Sequence, residues 1–173
     1  MNQKFLLIMA VLIGAGMGTY AYLGGFKTPT VTVTTSEPLL IAGQPFTGTV
    51  KDEAFSNAFR KAAELRDSKK LDGILGNVYY NNPESKTDTI KAFIGLVIQD
   101  STIKLPEGYE LLRVPGGRKV VHTEIEAHYM VGPGKLYTSL FDYAEDNKLK
   151  LEDFYVEWFP TDRKGVVEVP VKP

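Results

Sequence analysis

Residues 5–23 read FLLIMAVLIGAGMGTYAYL, with no charged side chain anywhere in the run. No other stretch restricts the fold as strongly. A helix packed on a soluble core needs a polar face for water, and this segment has none. The hydrocarbon core of a bilayer takes about 20 such residues in a helix. Residues 1–27 are therefore expected to form an N-terminal transmembrane anchor, and the chain divides where it ends. Tyr20 and Tyr22 stand at its C-terminal end, where aromatic rings favour the headgroup boundary. Lys4 and the amino terminus flank the other end. The expectation is a single-pass signal-anchor with a cytoplasmic N-terminus and the remainder on the far, periplasmic or extracytoplasmic, side. Lys27 pulls against that topology. No small-x-small site precedes Gly24 and Gly25, which favours an uncleaved anchor over a signal peptide.

Residues 28–36 read as an extended tether. Residues 37–173 remain, about 140 positions, enough for one well-buried core. The net charge of −1 carries no basic excess, so no nucleic-acid partner is expected. The chain has no cysteine, which removes disulfides, thiolate nucleophiles and cysteine-ligated zinc together.

Beyond the tether, the same order of elements occurs twice. In the first round a β-rich run over residues 39–50 precedes a helix over residues 53–67. That helix sets Phe55, Ala58, Phe59, Ala62 and Leu65 on one stripe. Strands follow at 74–80 and 90–98, separated by a polar loop at 81–88. The second round opens with a β run at 109–127, broken by Pro115, Gly116 and Gly117. A helix at 134–147 aligns Leu136, Leu140, Phe141 and Ala144, and strands at 153–159 and 166–171 close the chain. The fold class expected is α+β: a duplicated strand-helix-strand-strand unit with halves at 37–99 and 105–173. Its antiparallel sheet carries two helices on one face and a central cleft between the halves.

The closing strands of the two rounds carry a resemblance. Residues 76–83, GNVYYNNP, resemble the G-x-x-Y-Y-D-D-P signature of the GyrI-like, or AraC-type effector-binding, domain. Residues 155–162, YVEWFPTD, are similar to that family's E-x-Y-x-T/N-D-P segment, and LPEGYELLRVPGGRKVV at 105–121 to its entry into the second half. Asn81 and Asn82 replace the usual acidic pair, Phe159 replaces a tyrosine, and Pro160 and Arg163 interrupt the second motif. The resemblance implies a domain for hydrophobic, aromatic or cationic small molecules. The helix-turn-helix region that commonly precedes it is replaced here by the apolar segment. It also implies alternatives. One is hydrolysis in the same cleft, with Glu157 as general base. Another is a membrane-anchored receptor or scaffold that recruits a protein partner, which the sequence does not identify. The related SOUL family binds haem, a role that would need one of the two histidines as axial ligand. No cofactor and no metal is expected.

Strand parity singles out Glu157. Along 153–159, Tyr155, Glu157 and Phe159 point one way and Val156 and Trp158 the other. An unpaired carboxylate between aromatics is costly in a packed core but suits a cleft receiving a cation, where aromatic walls add cation–π attraction. A surface glutamate on a half-exposed strand is the competing reading. Superposing the two motifs sets Asn77 opposite Glu157 and Tyr79 opposite Phe159. The expected ligand-binding set is thus Glu157, Tyr155, Phe159, Tyr79 and Asn77. Trp158 is assigned to the core. His128 and Tyr129, which open the loop before the second helix, read as a solvated loop pair, with the lip of the cleft as the alternative, and His122 as part of an exposed strand face. No arrangement of serine, histidine and aspartate suggests a nucleophile.

Overall fold

The computed structural model describes residues 3–84 and 89–173. Residues 85–88, the second half of the expected polar loop, lie outside the described residues, as does the amino terminus.

The apolar segment is helix α1 (Gln3–Tyr22), and it buries none of its residues against the rest of the chain. Its length and composition are sufficient to cross a membrane. Gly24, at φ 80°, ends it in the left-handed conformation that glycine adopts without strain. A side chain there would also strike Ala127, whose Cα lies 2.8 Å from the position of a Cβ. The residue after it is therefore held, not loose. Leu23 O accepts a hydrogen bond from the His128 backbone N–H at 2.9 Å.

The expected tether is corrected by the structure. Thr30–Thr35 is strand β1, paired antiparallel with a strand of the second half. Its alternating threonine and valine, β-branched throughout, fit a pleated edge. The remaining elements follow in order: β2 (Leu39–Gly48), α2 (Glu53–Asp67), β3 (Ile74–Tyr79), β4 (Ile90–Val97), β5 (Glu110–Val114), β6 (Lys119–Ile125), α3 (Gly132–Asp146), β7 (Tyr155–Thr161) and β8 (Lys164–Pro170). Asn81 closes the β3–β4 turn, donating to Thr89 O at 2.9 Å and accepting from the Lys91 N–H at 2.8 Å. That is the use found for one asparagine of the departing pair.

All strands join one antiparallel sheet, ordered β1-β6-β8-β7-β3-β4-β2-β5. The order is symmetric about the β7–β3 seam, as duplication requires, with one correction to the expected halves. Each half gives its outermost strand to the other: β1 pairs with β6, and β5 pairs with β2. The halves are therefore interlocked at both sheet edges.

Both helices lie on one face. Ala58 and Ala62 of α2 and Leu136, Tyr137, Leu140 and Ala144 of α3 are buried there. The opposite face holds a second core of Ile41, Val78, Phe93, Val97, Val114 and Val156. The sheet encloses this core by curling. One row across it reads Gly43, Gly95, Gly76, Trp158. At Gly95 a Cβ would stand 2.0 Å from Ala42 O, so the strands approach there as only glycine allows. The loops after β1 and β5 then meet, with the Ser36 N–H donating to Arg118 O and the Gly117 N–H to Ser36 O, both at 2.8 Å.

Candidate ligand-binding site

β3 and β7 run side by side at the seam, with Asn77 directly opposite Glu157. Paired residues share a sheet face, and these two face the helices. Helix α2 stands away from the seam over a cleft of about 500 Å³. Leu75, Asn77, Tyr79, Glu157 and Phe159 form its floor. Phe59, Arg60, Ala63, Arg66 and Asp67 form its helical wall, and Tyr129, Pro133 and Asp162 its rim.

The floor is apolar or aromatic on either side of a polar centre, Asn77 and Glu157. Glu157 is 3% exposed. One oxygen, Oε2, accepts a hydrogen bond from Asn77 Nδ2 at 3.0 Å, and the same amide lies 3.4 Å from the Tyr79 hydroxyl. The other oxygen, Oε1, has no protein partner. Burial pushes the Glu157 carboxyl from its ordinary 4.5 up to about 7, against the opposite pull of hydrogen bonds from Asn77 and Tyr79. Desolvation, reinforced by the Glu157 charge, also raises the Tyr79 and Tyr137 phenols well above their ordinary value. Both therefore remain neutral donors. An unmet acceptor on a carboxyl poised between its two forms can take a cation when ionised or share a proton when neutral.

The wall is charged but largely self-compensated. Arg66 donates to Asp67 at 2.8 Å and to Asp162 at 3.4 Å, and Arg60 pairs weakly with Glu64 at 3.9 Å. Arg66 thereby ties the helical wall to the rim, where the Tyr129 N–H donates to Asp162 O.

Four of the five expected residues, Glu157, Asn77, Tyr79 and Phe159, line the cleft. Tyr155 does not. It is buried behind the floor, its ring 6.2 Å from those of Tyr137 and Phe141. The expected opposition of Tyr79 and Phe159 is corrected as well: Tyr79 faces Tyr155, and Phe159 faces Leu75. In an antiparallel pair centred on Asn77 and Glu157, residues two positions on in each strand move apart. Trp158 turns to the opposite core, as parity requires. Tyr129 is on the rim rather than merely solvated. His122 contacts Glu168 at 2.9 Å.

The sequence reading missed the helical wall and Tyr137. Ala63 and Arg66 follow at helical spacing from Phe59, which was read only as part of the packing stripe, and that spacing was the available signal. Tyr137 lies four residues before Phe141, and its hydroxyl is buried without a partner.

With this geometry in view, one comparison with known proteins names a family. Residues 29–163 match the GyrI-like small molecule binding domain, and the chain belongs to that family. It thus carries a small-molecule-binding module. Among solved structures, it is similar to an integron cassette protein from the mobile metagenome of Vibrio cholerae (TM-score 0.63, 16% identity, 84% of this chain and 99% of that one). A protein solved with tetraphenylphosphonium bound matches with a TM-score of 0.57 and 9% identity, over 83% of this chain and 94% of that one. A hydrolase from Listeria innocua matches at 0.54 and 11% identity, over 84% and 93%. At these identities the likeness is one of fold. No curated protein matches the chain in sequence.

Proposed function

We propose that the protein is a membrane-anchored receptor for hydrophobic cations, with Glu157 as the ligand's counter-charge. The observation that carries this reading is Glu157 Oε1, an unpartnered carboxylate oxygen in a buried residue on the floor of an aromatic cleft. Phe59, Tyr79, Phe159 and Tyr129 surround the space with ring faces and edges suited to an aromatic cation. The arginines of the wall do not reverse the sign, because Asp67, Asp162 and Glu64 occupy them. The tetraphenylphosphonium complex of a protein with the same fold supports the ligand class. The anchor reading rests on α1, an uncharged helix of bilayer-spanning length after Lys4 with no buried residue. With Lys4 and the amino terminus held in the cytoplasm, the cleft lies on the far side.

Thermal unfolding of the full chain in lipid nanodiscs, with and without tetraphenylphosphonium, tests the binding reading. A ligand at 100 times its Kd stabilises the fold by about 2.7 kcal/mol. Wild type should show this shift and Glu157→Gln should lose it. Equal responses of the two proteins would refute the counter-charge role. Hydrolysis in the same cleft is a second reading, favoured by the rise of the Glu157 carboxyl to about 7, which suits a general base. In that case Glu157→Gln would abolish turnover of a bound ester while keeping it bound.

A further inference from the structure

The end of α1 is bonded to the same two segments that form the rim of the cleft. Tyr22 O accepts a hydrogen bond from the Arg163 guanidinium, which also lies 4.6 Å from the Tyr22 ring centre. Leu23 O takes the His128 N–H, and Lys135 Nζ donates to Gly25 O at 2.5 Å and Lys27 O at 2.6 Å. Arg163 follows Asp162, and His128 precedes Tyr129. Asp162 and Tyr129 are rim residues. The domain therefore does not swing on a linker.

This attachment fixes a depth. A helix of 20 residues rises about 30 Å, the thickness of a hydrocarbon core. Residues 22–25 then lie at the headgroup level, and groups bonded to their backbone lie there too. The side chains gathered at that level suit it. Outside α1, three of the exposed large apolar residues are Phe26 at 65%, Tyr129 at 49% and Met130 at 71%. They surround the helix exit together with the cations Lys27, Lys135 and Arg163. Apolar and aromatic groups ringed by lysine and arginine are the composition of an interfacial membrane contact.

We propose that the 128–131 loop and residues 22–27 form a membrane-interface patch that holds the mouth of the cleft on the bilayer surface. The ligands it admits are amphiphilic cations already partitioned into lipid. This rests on the reading of α1 as a membrane anchor and of the cleft as a cation site. The patch explains why Met130, which does not line the cleft, is left so exposed beside Tyr129, which does.

The chain has no cysteine, so a single introduced thiol reports depth in the full protein. Met130→Cys and Glu145→Cys would each carry an environment-sensitive fluorophore in nanodiscs containing lipids with a quenching nitroxide near the headgroup. Glu145 lies near the far end of α3, about 20 Å along the helix from its start. The Met130 label should be quenched several-fold more than the Glu145 label. In a second arm, dodecyltriphenylphosphonium is supplied from vesicles. Met130→Glu should slow its transfer to the cleft several-fold while leaving its equilibrium affinity unchanged. Equal quenching at the two positions, or transfer unaffected by Met130→Glu, overturns the proposal, while the counter-charge role of Glu157 survives if Glu157→Gln still loses the cation. Quenching at Met130 with no binding of either phosphonium by wild type overturns lipid delivery and the cation-site reading together, leaving only the membrane contact.

Discussion

The two helices occupy equivalent places in the duplicated fold but meet the sheet differently. Helix α3 presses onto it, burying Leu136, Tyr137, Leu140 and Ala144, and α2 buries only Ala58 and Ala62. The seam strands differ in the same sense. The first half offers the neutral Asn77 and the second offers Glu157 at the position directly across. Duplication thus produced a symmetric frame, while the cleft is asymmetric, lying under α2 with its charge supplied by β7. A frame can be repeated because burial asks only for apolar side chains at the right spacing. A binding site needs one helix to forgo burial, and a small residue such as Ala63 leaves that room.

The comparison breaks most visibly by truncation. Leu140 of α3 is fully buried, so Leu140→Ala should cost about 2–5 kcal/mol in denaturant unfolding. Phe59 of α2 is only half-buried over the cleft, and Phe59→Ala should cost about 1–2 kcal/mol. Equal costs would mean that α2 is packed as tightly as α3.

Next in size is the charge asymmetry of the seam. The folded-state Glu157 carboxyl titrates near 7 and the unfolded one near 4.5. The folded protein therefore binds the proton more tightly. Its burial is free of penalty below about pH 4.5 and progressively costs stability as pH rises through 7. Glu157→Gln keeps an oxygen for Asn77 and removes the ionisation. It should be nearly neutral at pH 4 and stabilise the fold by about 3 kcal/mol at pH 8, read from unfolding at the two pH values.

Filling the room under α2 sharpens the contrast. Ala63→Phe should weaken tetraphenylphosphonium binding at least about tenfold in calorimetric titration while changing stability by about 1 kcal/mol. The smallest effect belongs to Arg66, whose side chain is 28% exposed and bridges Asp67 and Asp162. Arg66→Ala should cost about 0.5 kcal/mol or less in added salt. It should also tighten cation binding slightly by freeing the two carboxylates.

Much of the frame was legible because period and spacing are local properties. The helix expected at 53–67 matches α2 (Glu53–Asp67), and strand parity set Glu157 and Trp158 on opposite faces, though not which face the helices cover. The exchange of β1 and β5 was not legible. Pairing partners are chosen by tertiary closure, and the TVTVTT segment would suit any sheet edge. Tyr155 shares the parity of Glu157, but parity says nothing of what covers a face, and α3 covers Tyr155 with Tyr137 and Phe141. Nothing in the spacing of Arg60 and Arg66 marks them as cleft residues. Only the gap between α2 and the seam turns them inward. Of the rim, Tyr129 was weighed as a lip of the cleft, but Asp162 was obscure for a similar reason, since the two meet only through the fold.

The buried Glu157 carboxylate is proposed as the counter-charge of a bound cation. The most direct test of that role is a carboxyl carbon NMR titration of selectively labelled Glu157 in the full chain, free and saturated with tetraphenylphosphonium. The midpoint in the free protein should fall near 7. With the cation bound the midpoint should fall by at least about one unit, because a neighbouring positive charge favours the ionised form. A midpoint that saturation leaves in place would show that the cation does not meet Glu157 and would refute the counter-charge role.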